Sequence, residues 1–199
     1  MFIIGITGGT GSGKTTATRA LKALGALVLD CDELYHRLLI DNKQLKTELE
    51  THFGGVLNGD VIDRKMLSEI VWNDPSALRK LNEITHRYIS EAIGWEIDNW
   101  EAQGGKTVAI DAIAIFESGI REKCDVIIGV TAPVKMRLSR IMKRDGLTRE
   151  QAEKRIKAQK PDNYFTKNCD HILQGTYDNP EEFEKTCKAF FTKLLQQRP

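Results

Sequence analysis

Three sets of residues have types and spacings that could do chemistry together. The first is Gly8-Gly9-Thr10-Gly11-Ser12-Gly13-Lys14-Thr15, which fits G-x-x-x-x-G-K-[ST]. Glycines there let the backbone wrap so that successive N–H groups point at phosphate oxygens. Lys14 then reaches the β- and γ-phosphates of ATP, and the Thr15 hydroxyl coordinates Mg²⁺. Gly11, Ser12, Gly13, Lys14, Thr15 and Thr16 are therefore expected to hold the nucleotide, helped by the N-terminal partial charge of the helix that follows. The second set is acidic: Asp30 and Asp32 around Cys31, and Asp111 further on. A carboxylate beside the γ-phosphate can accept the proton of an attacking hydroxyl. One at a strand end can touch Mg²⁺ through water or position the acceptor. Structural roles compete, since one of the first pair can cap the helix beginning near Glu33 while the other works, and Asp111 can simply end a strand.

The third set is basic. Residues 137–160 carry nine Lys/Arg against three acids. Arg137, Arg140 and Arg144 share a helix face at i, i+3 and i+7, with Leu138, Ile141 and Met142 on an apolar one. Arginines closing on a nucleotide, here Arg140 and Arg144, stabilise charge spreading onto a transferring phosphoryl group. A solvated basic helix would account for the charge, but not for the Asp145-Gly146 break or the capping box Thr148-Arg149-Glu150-Gln151 after it.

Placing these groups requires strands that end at them. β-type runs at 2–7, 26–30, 107–111, 125–131 and 171–174 alternate with helical material. The first four are nearly continuous Val/Ile/Ala/Leu, as in strands buried on both faces of a parallel sheet. The pattern predicts a three-layer α/β fold with a five-stranded parallel sheet, a P-loop NTPase architecture. Ligands of such sheets bind beyond the carboxyl ends of the strands, where Asp32 and Asp111 fall. Residues 33–104 show no convincing strand and read as a helical insert. Its best helix starts at Asp74-Pro75, an N-cap followed by an N1 proline, and stops at Gly104-Gly105. Asn179-Pro180 marks another helix start, and only 197–199 is expected to fray.

Composition narrows the function classes. A formal charge of +1 gives no global basic field for nucleic acid or acidic membrane. No apolar run approaches the roughly 20 residues of a membrane span, and the N-terminal run lacks the basic region of a signal peptide. The four cysteines form no C-x-x-C pair, which fits reduced thiols in a cytoplasmic protein. A guanine-specific [NT]-K-x-D segment is absent, because Asn42-Lys43 continues as Gln44-Leu45. A motor would need more chain for partner domains. A compact ATP-dependent kinase remains, for a nucleoside, a sugar acid or another hydroxyl acceptor, against a module that binds ATP without turnover.

Taken in order, several segments are more specific than the P-loop. They are Thr7 to Thr15, Asp30-Cys31-Asp32, Ile62-Asp63-Arg64 with Leu67, Ile70-Val71-Trp72-Asn73-Asp74, and Asn82-Glu83-Ile84-Thr85-His86. Asp111 to Glu117, Arg140 to Asp145, Arg155-Ile156-Lys157-Ala158-Gln159 and Cys169-Asp170 follow. Over nearly its whole length the chain thus resembles the dephospho-CoA kinases. The resemblance implies transfer of phosphate from ATP, with Mg²⁺, to the ribose 3′-hydroxyl of dephospho-CoA, the last step of coenzyme A biosynthesis. It makes the chain a single domain with a core (1–32, 105–136 and 166–199), an acceptor-binding insert (33–104) and a lid (137–165). It makes Asp32 the base, with Lys14 and Arg140 also catalytic. Arg64, His86 and Asp111 become acceptor-side residues, and Arg140 and Arg144 lid residues. Should Arg64, His86 and Arg87 face the cleft, they would form a cationic wall for a pyrophosphate. The expected enzyme is cytoplasmic, a monomer or weak homo-oligomer, without nucleic-acid or membrane partners. The chain departs from the family pattern at Cys31, Arg87, Ile113 and Gly175, where alanine, proline, proline and asparagine are usual.

Overall fold

Hydrophobic strands covered on both faces make the centre of the molecule. The computed structural model describes residues 1–72, 74–177 and 179–197, so Asn73 of the quoted Ile70–Asp74 segment and the expected fraying at 198–199 lie outside the described residues. The chain begins with β1 (Phe2–Thr7), α1 (Lys14–Ala23) and β2 (Leu27–Asp30). Between β2 and the next strand of the sheet come α2 (Cys31–Asp41), α3 (Lys43–Phe53), β3 (Leu57–Asn58), β4 (Val61–Ile62), α4 (Arg64–Trp72) and α5 (Pro75–Ala102). The core resumes with β5 (Thr107–Asp111) and β6 (Val126–Thr131) and passes into α6 (Val134–Asp145), α7 (Arg149–Lys157) and α8 (Asp162–Asn168). It closes with β7 (His171–Gln174) and α9 (Pro180–Gln196). The main sheet runs β2-β5-β1-β6-β7 and every pairing in it is parallel, the five-stranded α/β arrangement the apolar runs predict.

Two apolar layers clamp this sheet. On one side Ile4, Ile6, Ile128 and Val130 pack with Ala17 and Leu21 of α1 and with Phe183 and Phe191 of α9. On the other, Val108, Ile110 and Ile127 pack with Ile89, Ile93 and Ile97 of α5. The long helix α5 serves two cores at once. Its N-terminal half sends Ile84 and Tyr88 into a separate core of the insert, with Leu45, Leu49, Val56 and Leu67. Asp74 caps it by accepting from the Ser76 and Ala77 N–H groups at 2.7 and 3.2 Å, with Pro75 at the first position. His86 therefore falls where the helix leaves one core and enters the other.

The insert contains a strand pair that hydropathy did not predict. β3 and β4 are two residues each, antiparallel, and joined through Gly59 at φ 64°. Strands that short show no period-2 pattern, and polar contacts hold them. Lys46, 3% exposed, donates to the carbonyls of Ile40 and Asp60 and pairs with the Asp60 carboxylate at 2.8 Å. The Glu50 carboxylate accepts from the N–H groups of Gly55 and Leu57.

Candidate active site

The loop between β1 and α1 turns through Gly11 at φ 79° and Gly13 at φ 111°, conformations a side chain resists. At Gly13 a Cβ would also press on the Phe183 ring of α9. Among the described residues, the backbone N–H groups of Gly11, Gly13, Lys14 and Thr15 have no protein acceptor. Orphan donors at a helix start, with Lys14 beside them, suit phosphate oxygens. Gly11, Gly13, Lys14, Thr15, Asp32, Asp111, Arg140 and Arg144 line one cavity of 330 Å³ together with Asp30 and Arg155. Ser12 lies behind the loop with its hydroxyl buried and unpartnered, and Thr16 opens onto a neighbouring groove between α6 and α9.

The loop is gripped from α6 and from the segment between α7 and α8. Arg137, 2% exposed, donates to the Thr10 carbonyl, to Gln159 and to Asp162, each at 3.0 Å. Gln159 in turn accepts from the Thr10 N–H at 2.8 Å and donates to the Thr10 hydroxyl at 2.6 Å. Arg140 donates to the carbonyls of Gly11, Ser12, Gly175 and Tyr177 at 2.7–3.4 Å. Two arginines of this basic face, Arg137 and Arg140, turn inward onto the loop, with Arg137 buried beside Ile141. A long side chain with five donors can satisfy several loop carbonyls at once, which a hydropathy plot scores as exposure. Gly175 lies so close to the Ser12 carbonyl that a Cβ would overlap it, which ties that departure from the family pattern to loop packing.

The two acids around Cys31 divide their work. The Asp30 carboxylate caps α2, accepting from the N–H groups of Asp32 and Glu33 at 2.9 and 3.1 Å. Asp32 is left exposed in the cleft. Asp30 and Asp111 are register partners on adjacent strands. Burial, reinforced by Asp30 and Asp32 and opposed by Lys14, pushes the Asp111 carboxyl up to about 6. Cys31 is buried and pushed up to about 12 by that burial and the nearby carboxylates, so its thiol stays neutral. Among the described residues no group of three or more His, Cys, Asp or Glu side chains is placed to hold a metal unaided. Thr15 and Asp111 fit an ion that arrives with phosphate oxygens, as Mg²⁺ commonly does.

A second cavity of 260 Å³ adjoins the first. Asp32 and Ile113 line both. Its walls are Cys31 and Tyr35 from α2, Leu81, Asn82, Thr85, His86 and Ile89 from α5, and Ala112, Ala114, Ser118 and Ile120 after β5. The His86 pKa is lowered by burial, against the pull of Glu117, so the imidazole is neutral near pH 7. Arg64 lies further out, exposed at the start of α4, in a groove that shares Tyr35 and Leu81 with this cavity. The continuous cationic wall does not form. Arg87 turns from the cleft to pair with Glu48 of α3 and lie over the Tyr88 ring. Spacing alone could not show this, because the residue after His86 on a helix points about 100° away. Sequence reasoning assigned no site role to Arg155, Gln159 or Tyr35. Tyr35 was accessible to it, being one helical turn beyond Asp32; Gln159 carries no compositional signal.

The geometry has known counterparts. The dephospho-CoA kinase family model matches residues 2–180. A dephospho-CoA kinase of Dehalococcoides mccartyi is 43% identical over 197 residues, covering 97% of each chain. The solved dephospho-CoA kinase from Campylobacter jejuni superposes with a TM-score of 0.71 at 27% identity over 96% of each chain. A shikimate kinase from Bacteroides thetaiotaomicron, at 13% identity and a TM-score of 0.60, shares the fold alone. No helix among the described residues is long and apolar enough to cross a membrane. With a glycine loop and orphan N–H donors at one end of its cleft, a second cavity at the other and Asp32 on the wall between, and with the family model matched over residues 2–180, this chain belongs to the dephospho-CoA kinase family.

Proposed function

We propose that the chain transfers the γ-phosphoryl of ATP to the ribose 3′-hydroxyl of dephospho-CoA, giving coenzyme A and ADP, as a cytoplasmic enzyme. The observation that carries this reading is the position of Asp32 on the wall common to both cavities. A hydroxyl entering from the second cavity meets a carboxylate before it meets phosphate.

In this reading the N–H groups of Gly11, Gly13, Lys14 and Thr15 hold the β-phosphate end, and Lys14 reaches on to the γ-phosphate. Asp32 accepts the hydroxyl proton as the oxygen attacks in line. Arg144 and Arg155 face the equatorial oxygens of the transferring group, while Arg140, committed to loop carbonyls, keeps the cradle in shape. Thr15 and Asp111 are the residues that would hold a Mg²⁺ ion arriving with ATP, which would supply charge neutralisation to the phosphates. The transition state is loose, so positioning and charge neutralisation contribute more than proton removal. Tyr35, Asn82 and neutral His86 offer hydrogen bonds to the ribose and base, and Arg64 offers a guanidinium to the pyrophosphate beyond them.

Asp32→Asn keeps the shape of the side chain and removes its basicity. It is expected to lower kcat roughly 10²–10⁴-fold with little change in KM for ATP. A loss below about tenfold would mean that Asp32 is not the base.

A further inference from the structure

Two cavity arginines, Arg144 and Arg155, come from different helices, and one carboxylate holds both. Asp145 accepts from Arg144 Nε at 2.7 Å and Nη2 at 2.9 Å, and from Arg155 Nη1 at 2.8 Å. Arg144 and Arg155 line the phosphate cavity with Lys14 and Asp32; Asp145 does not. Its location is otherwise unfavourable. It is the last residue of α6, before Gly146 in the left-handed conformation, where unpaired helix carbonyls already carry negative charge. A carboxylate there weakens the helix end. The contact with Arg144 also joins sequence neighbours, whose side chains on a helix ordinarily diverge. The side chain is thus set for the arginines rather than for the helix.

We propose that Asp145 is a positioning residue for phosphoryl transfer, fixing Arg144 of α6 and Arg155 of α7 side by side at the mouth of the phosphate cavity. The inference rests on the reading above, in which this cavity takes ATP. Pre-arranged guanidinium groups need not be ordered during the reaction, and that ordering would otherwise slow the transfer. The arrangement also has a cost to ground-state binding, because Asp145 offsets positive charge that would attract the triphosphate. Its removal should therefore separate two quantities that a merely structural residue would move together.

The test is Asp145→Ala, with Asp145→Asn as the isosteric control, measured by steady-state kinetics, calorimetric ATP affinity and Tm. Asp145→Ala is expected to lower kcat about 10–100-fold, the scale of a misplaced catalytic group. KM and Kd for ATP should stay level or fall, and Tm should not drop. Asp145→Asn, which keeps one acceptor oxygen but no charge, should lie between. Added to an Arg144→Ala/Arg155→Ala background, Asp145→Ala should cost under about twofold more, because it acts through those residues. A kcat within about twofold of wild type overturns the proposal. So does tenfold weaker ATP binding with a lowered Tm, the signature of a lid brace. Failure of the acceptor assignment would appear separately, as wild type that binds ATP but does not turn over dephospho-CoA; the calorimetric arm then still decides the role of Asp145.

Discussion

At the glycine-loop end of the cleft, the cavity is walled by backbone N–H groups and charged side chains that neighbouring residues hold in place. Arg137 is buried under the loop, Gln159 binds Thr10 from both sides, and Arg140 is committed to carbonyls. At the other end, Asp32 apart, the walls are apolar or neutral side chains from α2, α5 and the segment after β5, and Arg64 sits in an open groove beside Trp72, which is 84% exposed. One end is fixed before any ligand arrives; the other offers a surface for a flexible one. The contrast teaches where damage should register. Changes at the phosphate end should cost turnover, and changes at the acceptor end should cost KM and selectivity.

The sharpest break should come at Lys14. Lys14→Ala is expected to lower kcat by about 10³-fold or more, the scale for losing a charge that faces the transferring phosphoryl. Its Tm should stay close to wild type, because the side chain faces the cavity rather than the core. Near-wild-type turnover in a folded Lys14→Ala protein would remove the phosphate end from the account. Arg64→Ala probes the other end. It should raise KM for dephospho-CoA about tenfold, or about 1.5 kcal/mol, the low end for hydrogen bonds to charged groups because the site is exposed. KM for ATP should not change. A rise in KM for ATP instead would place Arg64 on the wrong side of the comparison.

The smallest effect concerns stability and carries a sign. Burial raises the Asp111 carboxyl from 3.8 to about 6, so the folded state holds this proton more tightly than the unfolded chain does. The associated stability is fully present below pH 3.8 and is lost as pH rises through about 6. At pH 8 the ionised group should cost roughly 1–3 kcal/mol in the ligand-free protein. Asp111→Asn should therefore raise Tm at pH 8 and lose most of that advantage at pH 4, while reducing activity. A Tm difference that is equal at both pH values would show that Asp111 is not under this strain.

The same contrast explains what the sequence made legible. The phosphate loop could be read because its function is written in backbone needs: Gly11 and Gly13 at positive φ, then Lys14 and Thr15 at fixed distances along the chain. Four of the five strands were legible for a related reason, since their runs are nearly continuously apolar; β7 is short and partly exposed at the sheet edge, so its run carries less of that signal. The grip of Arg137 on the loop was not legible, because an arginine that satisfies carbonyls looks in sequence like any other member of a basic face. Arg87 was misplaced because spacing does not say which way a residue on a helix flank turns, and Glu48, its partner, lies 39 positions away. The β3–β4 pair was invisible because Lys46 and Glu50, not hydropathy, hold it. The second cavity gathers residues from three stretches of chain, so no local pattern announced Ser118 as a neighbour of His86.

If Asp32 joins a nucleotide cavity to a pocket for one acceptor, the choice of acceptor should show it. ADP release by the wild-type protein with ATP and Mg²⁺ should be measured against dephospho-CoA, adenosine and shikimate. The kcat/KM for dephospho-CoA should be about 10²-fold or more above either alternative, since only it carries a pyrophosphate to meet Arg64 as well as a ribose to meet the pocket. Preference for adenosine or shikimate, or ADP release that no acceptor accelerates, would contradict it.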